Sequence, residues 1–337
     1  MSEFLKSEEA AYVAETANKL KTCLNQVLFG QEELVDLVCT GLFARGHLLL
    51  EGLPGLGKTE LIKGLSKALG LDFKRIQFTP DLLPGDISGN PLIQERDGKK
   101  EFVFQAGPIF GNLILADEIN RASPKTQSAM LEAMQEKSVT VAGQSHELPD
   151  PFFVLATQNP IELEGTYALP EAQLDRFLFK LDVHHAPADV LERIVLSREL
   201  GESPKVEQVL SRDELQKMIS LVKKVHIPQQ VAQMIAQLVN STQAGQSELS
   251  EHIKFGAGPR AAIALAAACK ARALIQGRVH TGFEDVRDLA LPVLRHRIIL
   301  DYRARIAGQT SDSIVKGLLA ELKIIDKPVP ATVKEES

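Results

Sequence analysis

Long hydrophobic runs, a basic excess and any clustering of cysteine are all missing from this sequence. No apolar stretch approaches the roughly 20 residues that a bilayer-spanning helix needs, so no membrane span is expected. The opening residues, Met1-Ser-Glu-Phe-Leu-Lys-Ser-Glu-Glu, are acidic and hold no apolar signal core, which makes a cytoplasmic address the expectation. Cysteine occurs three times in 337 residues. Cys23, Cys39 and Cys269 lie far apart in apolar contexts, lack metal-ligand spacing and read as reduced core residues. His184-His185 do not make a metal site either, because neighbours on a strand point to opposite faces. The net charge of −6 argues against nucleic acid as the partner, since such proteins usually carry a basic excess. The densest basic pairs, Lys99-Lys100 and Lys223-Lys224, read as solvated surface. There is no internal repeat or low-complexity tract. What remains is 44% hydrophobic and 24% charged, the balance of a soluble globular chain long enough for two domains.

The most informative segment is Gly52-Leu-Pro-Gly-Leu-Gly-Lys-Thr59, a glycine, four residues, then Gly-Lys-Thr. Backbone N–H groups of such a loop wrap a polyphosphate, and the following helix adds the positive end of its dipole. The expected nucleotide-binding set is Gly52, Pro54, Gly55, Leu56, Gly57, Lys58, Thr59 and Glu60. Lys58 would reach the β- and γ-phosphates of ATP, and the Thr59 hydroxyl would face Mg²⁺. The context agrees with this reading. His47-Leu-Leu-Leu50 is a short buried-strand pattern, and Leu61, Leu65, Ala68 and Leu69 repeat at helical spacing just after the loop.

Two further strands end in chemistry. Leu113-Ile-Leu-Ala is followed by Asp117 and Glu118, one to hold the Mg²⁺ shell and one to orient the attacking water. A paired Asp-Glu suits water as nucleophile, which favours hydrolysis over kinase transfer. Phe152-Phe-Val-Leu-Ala-Thr157 leads to Asn159, whose amide can donate to a phosphate and accept from water. Arg176 and Arg260 complete the catalytic candidates; spacing leaves open whether either serves its own site or a neighbour's. Val27-Leu-Phe29-Gly30 reads either as a platform for an adenine ring or as plain core.

Strands and helices alternate from residue 31 to about 183, as in a parallel α/β layer. The pattern then turns helical, with Leu191, Ile194, Val195 and Arg198 in one helix, Val231, Ile235, Leu238 and Val239 in another, and Phe283, Val286, Leu289 and Ala290 in a third. The expected division is an α/β core over 1–187, an all-α lid over 188–310, and a terminal helix with a frayed tail over 311–337. Two interruptions fall inside the core. Residues 78–106 hold a proline-rich stretch read as loop or hairpin, and residues 138–148 read as a hairpin around Ala-Gly-Gln.

Two long stretches make the sequence recognisable: Asp117-Glu-Ile-Asn-Arg-Ala-Ser-Pro-Lys-Thr-Gln and Ala156-Thr-Gln-Asn-Pro-Ile-Glu-Leu-Glu-Gly-Thr-Tyr-Ala-Leu-Pro-Glu-Ala-Gln-Leu-Asp-Arg-Phe-Leu178. The chain resembles the MoxR family of AAA+ ATPases over about residues 10 to 305. The resemblance implies a P-loop NTPase core with a parallel sheet flanked by helices, plus a smaller helical lid. It makes Gly52–Thr59 the Walker A loop, Asp117 and Glu118 Walker B, Asn159 sensor 1, Arg176 a finger for the adjacent subunit and Arg260 sensor 2. Arg121, close to the acids, is a weaker candidate for an intersubunit contact. The two interruptions correspond to a helix-2 insert and a pre-sensor-1 hairpin.

The implied function is an ATP-driven homo-oligomer, a hexameric ring, that remodels or activates a client protein. The implied themes are chaperone-like action, complex maturation and cofactor insertion. A separate protein with a von Willebrand factor A domain is the implied partner. Three alternatives stay open: a DNA- or RNA-stimulated helicase-like motor, the motor subunit of a metal chelatase, and an ATP-switched scaffold with little turnover.

Overall fold

The computed structural model describes residues 5–53, 55–96, 99–160, 166–183, 185–197 and 205–322. The chain enters through α1 (Ser7–Val27), which buries Val13, Ala17, Leu20, Leu24 and Val27, the stripe that its spacing predicts. Next come α2 (Glu32–Phe43), β1 (Leu48–Glu51), α3 (Lys58–Leu69) and β2 (Phe73–Gln77). The proline-rich stretch is not only loop and hairpin: it begins with one helical turn, α4 (Pro84–Ser88). Pro84 suits a first helical position, and the Asp86 carboxylate accepts from the Leu83 N–H at 2.9 Å, which is enough to close a turn. The hairpin of β3 (Gly89–Arg96) and β4 (Lys99–Ala106) follows, and then β5 (Leu113–Asp117).

After α5 (Pro124–Glu136) a second hairpin forms from β6 (Ser138–Val141) and β7 (Gln144–Glu147), turning at Ala142 and Gly143, both with positive φ. The two hairpins touch: the Phe104 ring stacks on His146 with centroids 3.8 Å apart. On the first hairpin Ile93 and Phe102 are ladder partners and both are exposed. The α/β part closes with β8 (Phe153–Gln158), α6 (Glu171–Leu174) and β9 (Phe179–Asp182).

The main sheet is parallel throughout, in the order β2-β5-β8-β1-β9. Parallel strands are covered on both faces and therefore read as unbroken apolar runs. Leu48, Leu49 and Leu50 and Leu113 to Ala116 are indeed fully buried. Every strand also delivers its C-terminal end to the same edge, and there the phosphate loop begins.

The helical part comprises α7 (Ala188–Ser197), α8 (Arg212–Leu221), α9 (Gln229–Ser241), a short β10 (Ile253–Phe255), α10 (Pro259–Ile275), α11 (Phe283–Leu294), a two-residue β11 (Ile299–Leu300), α12 (Tyr302–Ile306) and α13 (Ser311–Glu321). The β10–β11 ribbon is an antiparallel addition to a region expected to be all helix. Valines and isoleucines at 231, 235 and 239 face inward as their spacing predicts, and α10 packs across α1, α2 and α11. Cys39 and Cys269 are buried, and desolvation pushes the Cys39 thiol up to about 12; Cys23 is only half-buried, at the rim of the core. Arg198, His184 and the tail from 323 onward lie outside the described residues.

His47 pins the N-terminal edge of the sheet. Its Nδ1 accepts from the Val154 N–H at 3.1 Å, so the proton sits on Nε2, which donates to the Met134 carbonyl at 3.1 Å. Desolvation is the main cause that pushes its pKa down from 6.5 to about 4. The unfolded chain therefore takes the proton first, and stability present above pH 6.5 is lost as pH falls toward about 4. The loss is on the order of 3 kcal/mol. His47→Gln, which keeps an N–H donor group and a carbonyl acceptor but does not titrate, should flatten that part of the stability-against-pH curve in denaturant titrations; an unchanged slope would contradict the assignment.

Candidate active site

An open cleft of about 380 Å³ lies at the C-terminal edge of the sheet. It is lined by Gly52, Gly55, Leu56, Gly57, Lys58, Thr59 and Glu60 from the loop and helix start, Asp117 and Glu118 after β5, and Thr157, Gln158 and Asn159 from the end of β8. Parallel register explains the gathering. Leu115 and Ala116 pair with Leu155 and Ala156, and Leu50 and Glu51 pair with Thr157 and Gln158, so three strands finish side by side.

The loop requires its glycines. Gly57 has φ +79, and a Cβ there would come within 2.5 Å of a Leu28 methyl. A Cβ on Gly52 would lie 2.7 Å from the Val183 carbonyl. Gly57 caps α3, so the helix starts at Lys58 with its free N–H groups facing the cleft. Lys58 folds back and donates to the Gly52 carbonyl. Desolvation lowers its pKa, while Asp117, Glu118 and Glu51 pull it back upward. A cation held half-dry among carboxylates is poised to exchange that carbonyl for a phosphate oxygen.

The two acids are held by one hydroxyl. Thr157 Oγ1 donates to Asp117 Oδ1 at 2.7 Å and accepts from the Glu118 N–H at 2.8 Å. Glu118 sits in the left-handed region, φ 56 and ψ 49, a conformation that costs a non-glycine residue about 1 kcal/mol or more. Asp117 Oδ2 also accepts from Arg75 at 2.6 Å, and Glu118 Oε2 accepts from Gln77 at 3.1 Å and from Arg121 at 2.8 Å. Arg121 therefore lies against an acid of its own chain. Asn120 and Asn159 are joined through side-chain-to-backbone bonds, Asn120 Nδ2 donating to the Asn159 carbonyl at 3.2 Å.

Arg75, Gln77 and Thr157 carry no motif of their own in the sequence. The available signal was positional: β2 is the sheet neighbour of β5, and its last residues must finish beside Asp117. A hard cation prefers oxygen donors, and the Thr59 hydroxyl and Asp117 carboxylate line the same cleft. That donor set fits Mg²⁺. Among the described residues no cluster of three or more His, Cys, Asp or Glu offers another metal site.

Other predicted residues stand elsewhere. Gly30 lines a separate cleft with Leu181, Asp182 and Leu291, while Phe29 lies under the Arg193 guanidinium at 5.3 Å. Arg176 and Arg260 line a third cleft with Arg45, Lys137 and Asp175. Arg176 lies three residues before β9, in the turn where the Leu178 N–H donates to the His47 carbonyl. That is the N-terminal edge of the sheet, opposite the phosphate loop. The four residues of β9 alone span about 13 Å. Pro54 and residues 161–165 of the recognised stretch lie outside the described residues.

Thr157 is 2% exposed, so removing its hydroxyl leaves the Glu118 N–H without an acceptor. Thr157→Val should cost about 1–3 kcal/mol in denaturant unfolding, and Thr157→Ser should restore most of it. Equal stability of the valine variant would contradict the bridging role.

Comparison with known proteins agrees with this geometry. Residues 47–179 match the family described as ATPase family associated with various cellular activities (AAA), and residues 246–318 match the AAA lid domain. The chain is 43% identical to the uncharacterized protein YeaC of Bacillus subtilis, over 89% of this chain and 92% of that one. It is 41% identical to the chaperone MoxR1 of Mycobacterium tuberculosis, over 87% of this chain and 78% of that one. A crystal structure of a candidate ATPase from Cytophaga hutchinsonii superposes with a TM-score of 0.87 at 37% identity, covering 94% and 97% of the two chains. The chain belongs to the MoxR family of AAA+ ATPases.

Proposed function

We propose that this protein hydrolyses ATP as one subunit of a hexameric ring in which each active site is completed by its neighbour. The observation that carries this reading is the opposite placement of acids and arginines. Asp117 and Glu118 line the phosphate cleft, whereas Arg176 and Arg260 line a cleft at the other edge of the sheet. An arginine placed there serves a phosphate only if another subunit brings one. Arg260 pairs with Asp175 at 3.1 Å, next to Arg176, so both arginines are assigned to the same neighbouring site.

Within a site, the loop amides and Lys58 bind the phosphates. Thr59 and Asp117 would hold Mg²⁺, whose charge draws electrons from the phosphate oxygens. Glu118 accepts a hydrogen bond from the attacking water and orients it in line, and Asn159 donates from the side. Gln77 and Arg121 donate to Glu118, and Arg75 donates to Asp117.

Arginine fingers in related phosphate-loop systems contribute about 10³ to 10⁵ in rate. Arg176→Ala should nearly abolish turnover while leaving ATP binding largely intact, as read by steady-state hydrolysis and a fluorescent-nucleotide titration. Near-normal turnover would overturn the trans assignment. The work done with ATP is read as remodelling or maturation of a client protein in the cytoplasm, with a separate von Willebrand factor A protein as partner. The two stacked hairpins, with Ile93 and Phe102 exposed, are the surface assigned to the client.

A further inference from the structure

The turn that carries Arg176 is gripped from behind by the lid. Arg297 follows the C-terminal end of α11 and is 8% exposed. Its five N–H donors are all used. Nε donates to Asp175 Oδ1 at 2.8 Å, one terminal nitrogen to the carbonyls of Asp175 at 3.1 Å and Phe177 at 2.7 Å, and the other to the carbonyls of Leu178 at 3.2 Å and Val293. Two of these carbonyls belong to the residues directly flanking Arg176, Asp175 and Phe177, and a third to Leu178, one residue further on. His296 adds a bond from Nε2 to the Phe177 carbonyl at 3.0 Å.

Arg176 itself is not saturated. One terminal nitrogen donates to the Leu131 carbonyl at 2.8 Å, and its buried Nε has no partner among the described residues. The backbone of the finger is thus fixed by the lid, while its head still has donors to give. Asp175 extends the same anchor to the second arginine, with Oδ1 on Arg297 and Oδ2 on Arg260. At the other end of β9, Arg295 pairs with Asp182 at 2.7 Å. Three successive lid residues therefore support both ends of one strand.

We propose that Arg297, with His296 and Asp175, is the positioning device of the arginine finger: the lid sets where its own subunit presents Arg176 to the neighbour. This rests on the trans role proposed for Arg176. The finger moves with the lid because a guanidinium with five bonds cannot release the turn without leaving several buried carbonyls unpaired. Lysine keeps the charge but cannot reproduce a planar fork, so it is a sharp probe.

Arg297→Lys should lower kcat about tenfold or more while KM for ATP stays within about twofold. The deciding experiment mixes Arg297→Lys with Glu118→Gln before assembly. Glu118→Gln subunits hydrolyse nothing but present native fingers, so the mixture should exceed either variant alone. An Arg176→Ala mixture with Glu118→Gln, run in parallel, should recover in the same way. Recovery with Arg176→Ala but not with Arg297→Lys would overturn the positioning role and leave the finger standing. Failure of the Arg176→Ala mixture to recover would overturn the trans reading itself. If Arg297→Lys does not fold, Asp175→Asn carries the same test, since the backbone grip of Arg297 remains; it should lose turnover less severely and be rescued by the same partner, and a loss without rescue would overturn the proposal.

Discussion

Everything in this molecule depends on the parallel pairing of β1 and β5 with β8. One register puts the phosphate loop, the two acids and the end of β8 at a single edge of the sheet. The same register sends the turn before β9 to the opposite edge. A parallel sheet has chemically distinct ends: here one carries the phosphate loop and the two acids, and the other carries Arg176 and Arg260.

The two edges are kept in shape by a few well-placed donors and acceptors. Thr157 holds Asp117 and the strained Glu118 with one hydroxyl. His47 ties the opposite edge through two backbone bonds, and burial keeps its ring neutral. Arg297 closes the arrangement by joining lid and core. Such buried polar links are costly when broken and so define unique positions for the groups they hold. The proposed shared site needs that definition at both edges, because in a ring half of each site would arrive from another chain.

Much of this was legible in the sequence, for identifiable reasons. Buried parallel strands are apolar runs, and runs ending in Asp117-Glu118 or Thr157-Gln-Asn159 announce both the element and its chemical end. The stripe of α1 is equally plain because it packs on one side only. Arg75 and Gln77 were not legible, since their importance comes from the neighbour of β2 in the sheet and not from local pattern. The location of Arg260 beside Asp175 is likewise a long-range fact, joining residues 85 apart. The helical turn at Pro84 was hidden by prolines and glycines that signal turns in general, and its closure depends on one aspartate. Arg297 had no motif at all; its meaning lies in the carbonyls it reaches.

In the proposed ring a single subunit carries only part of an active site. Specific ATPase activity measured against protein concentration tests it directly. Activity per subunit should rise steeply with concentration and level off once rings are complete. Activity that is already full and flat in dilute solution, where light scattering shows monomers, would mean self-contained sites and would contradict it.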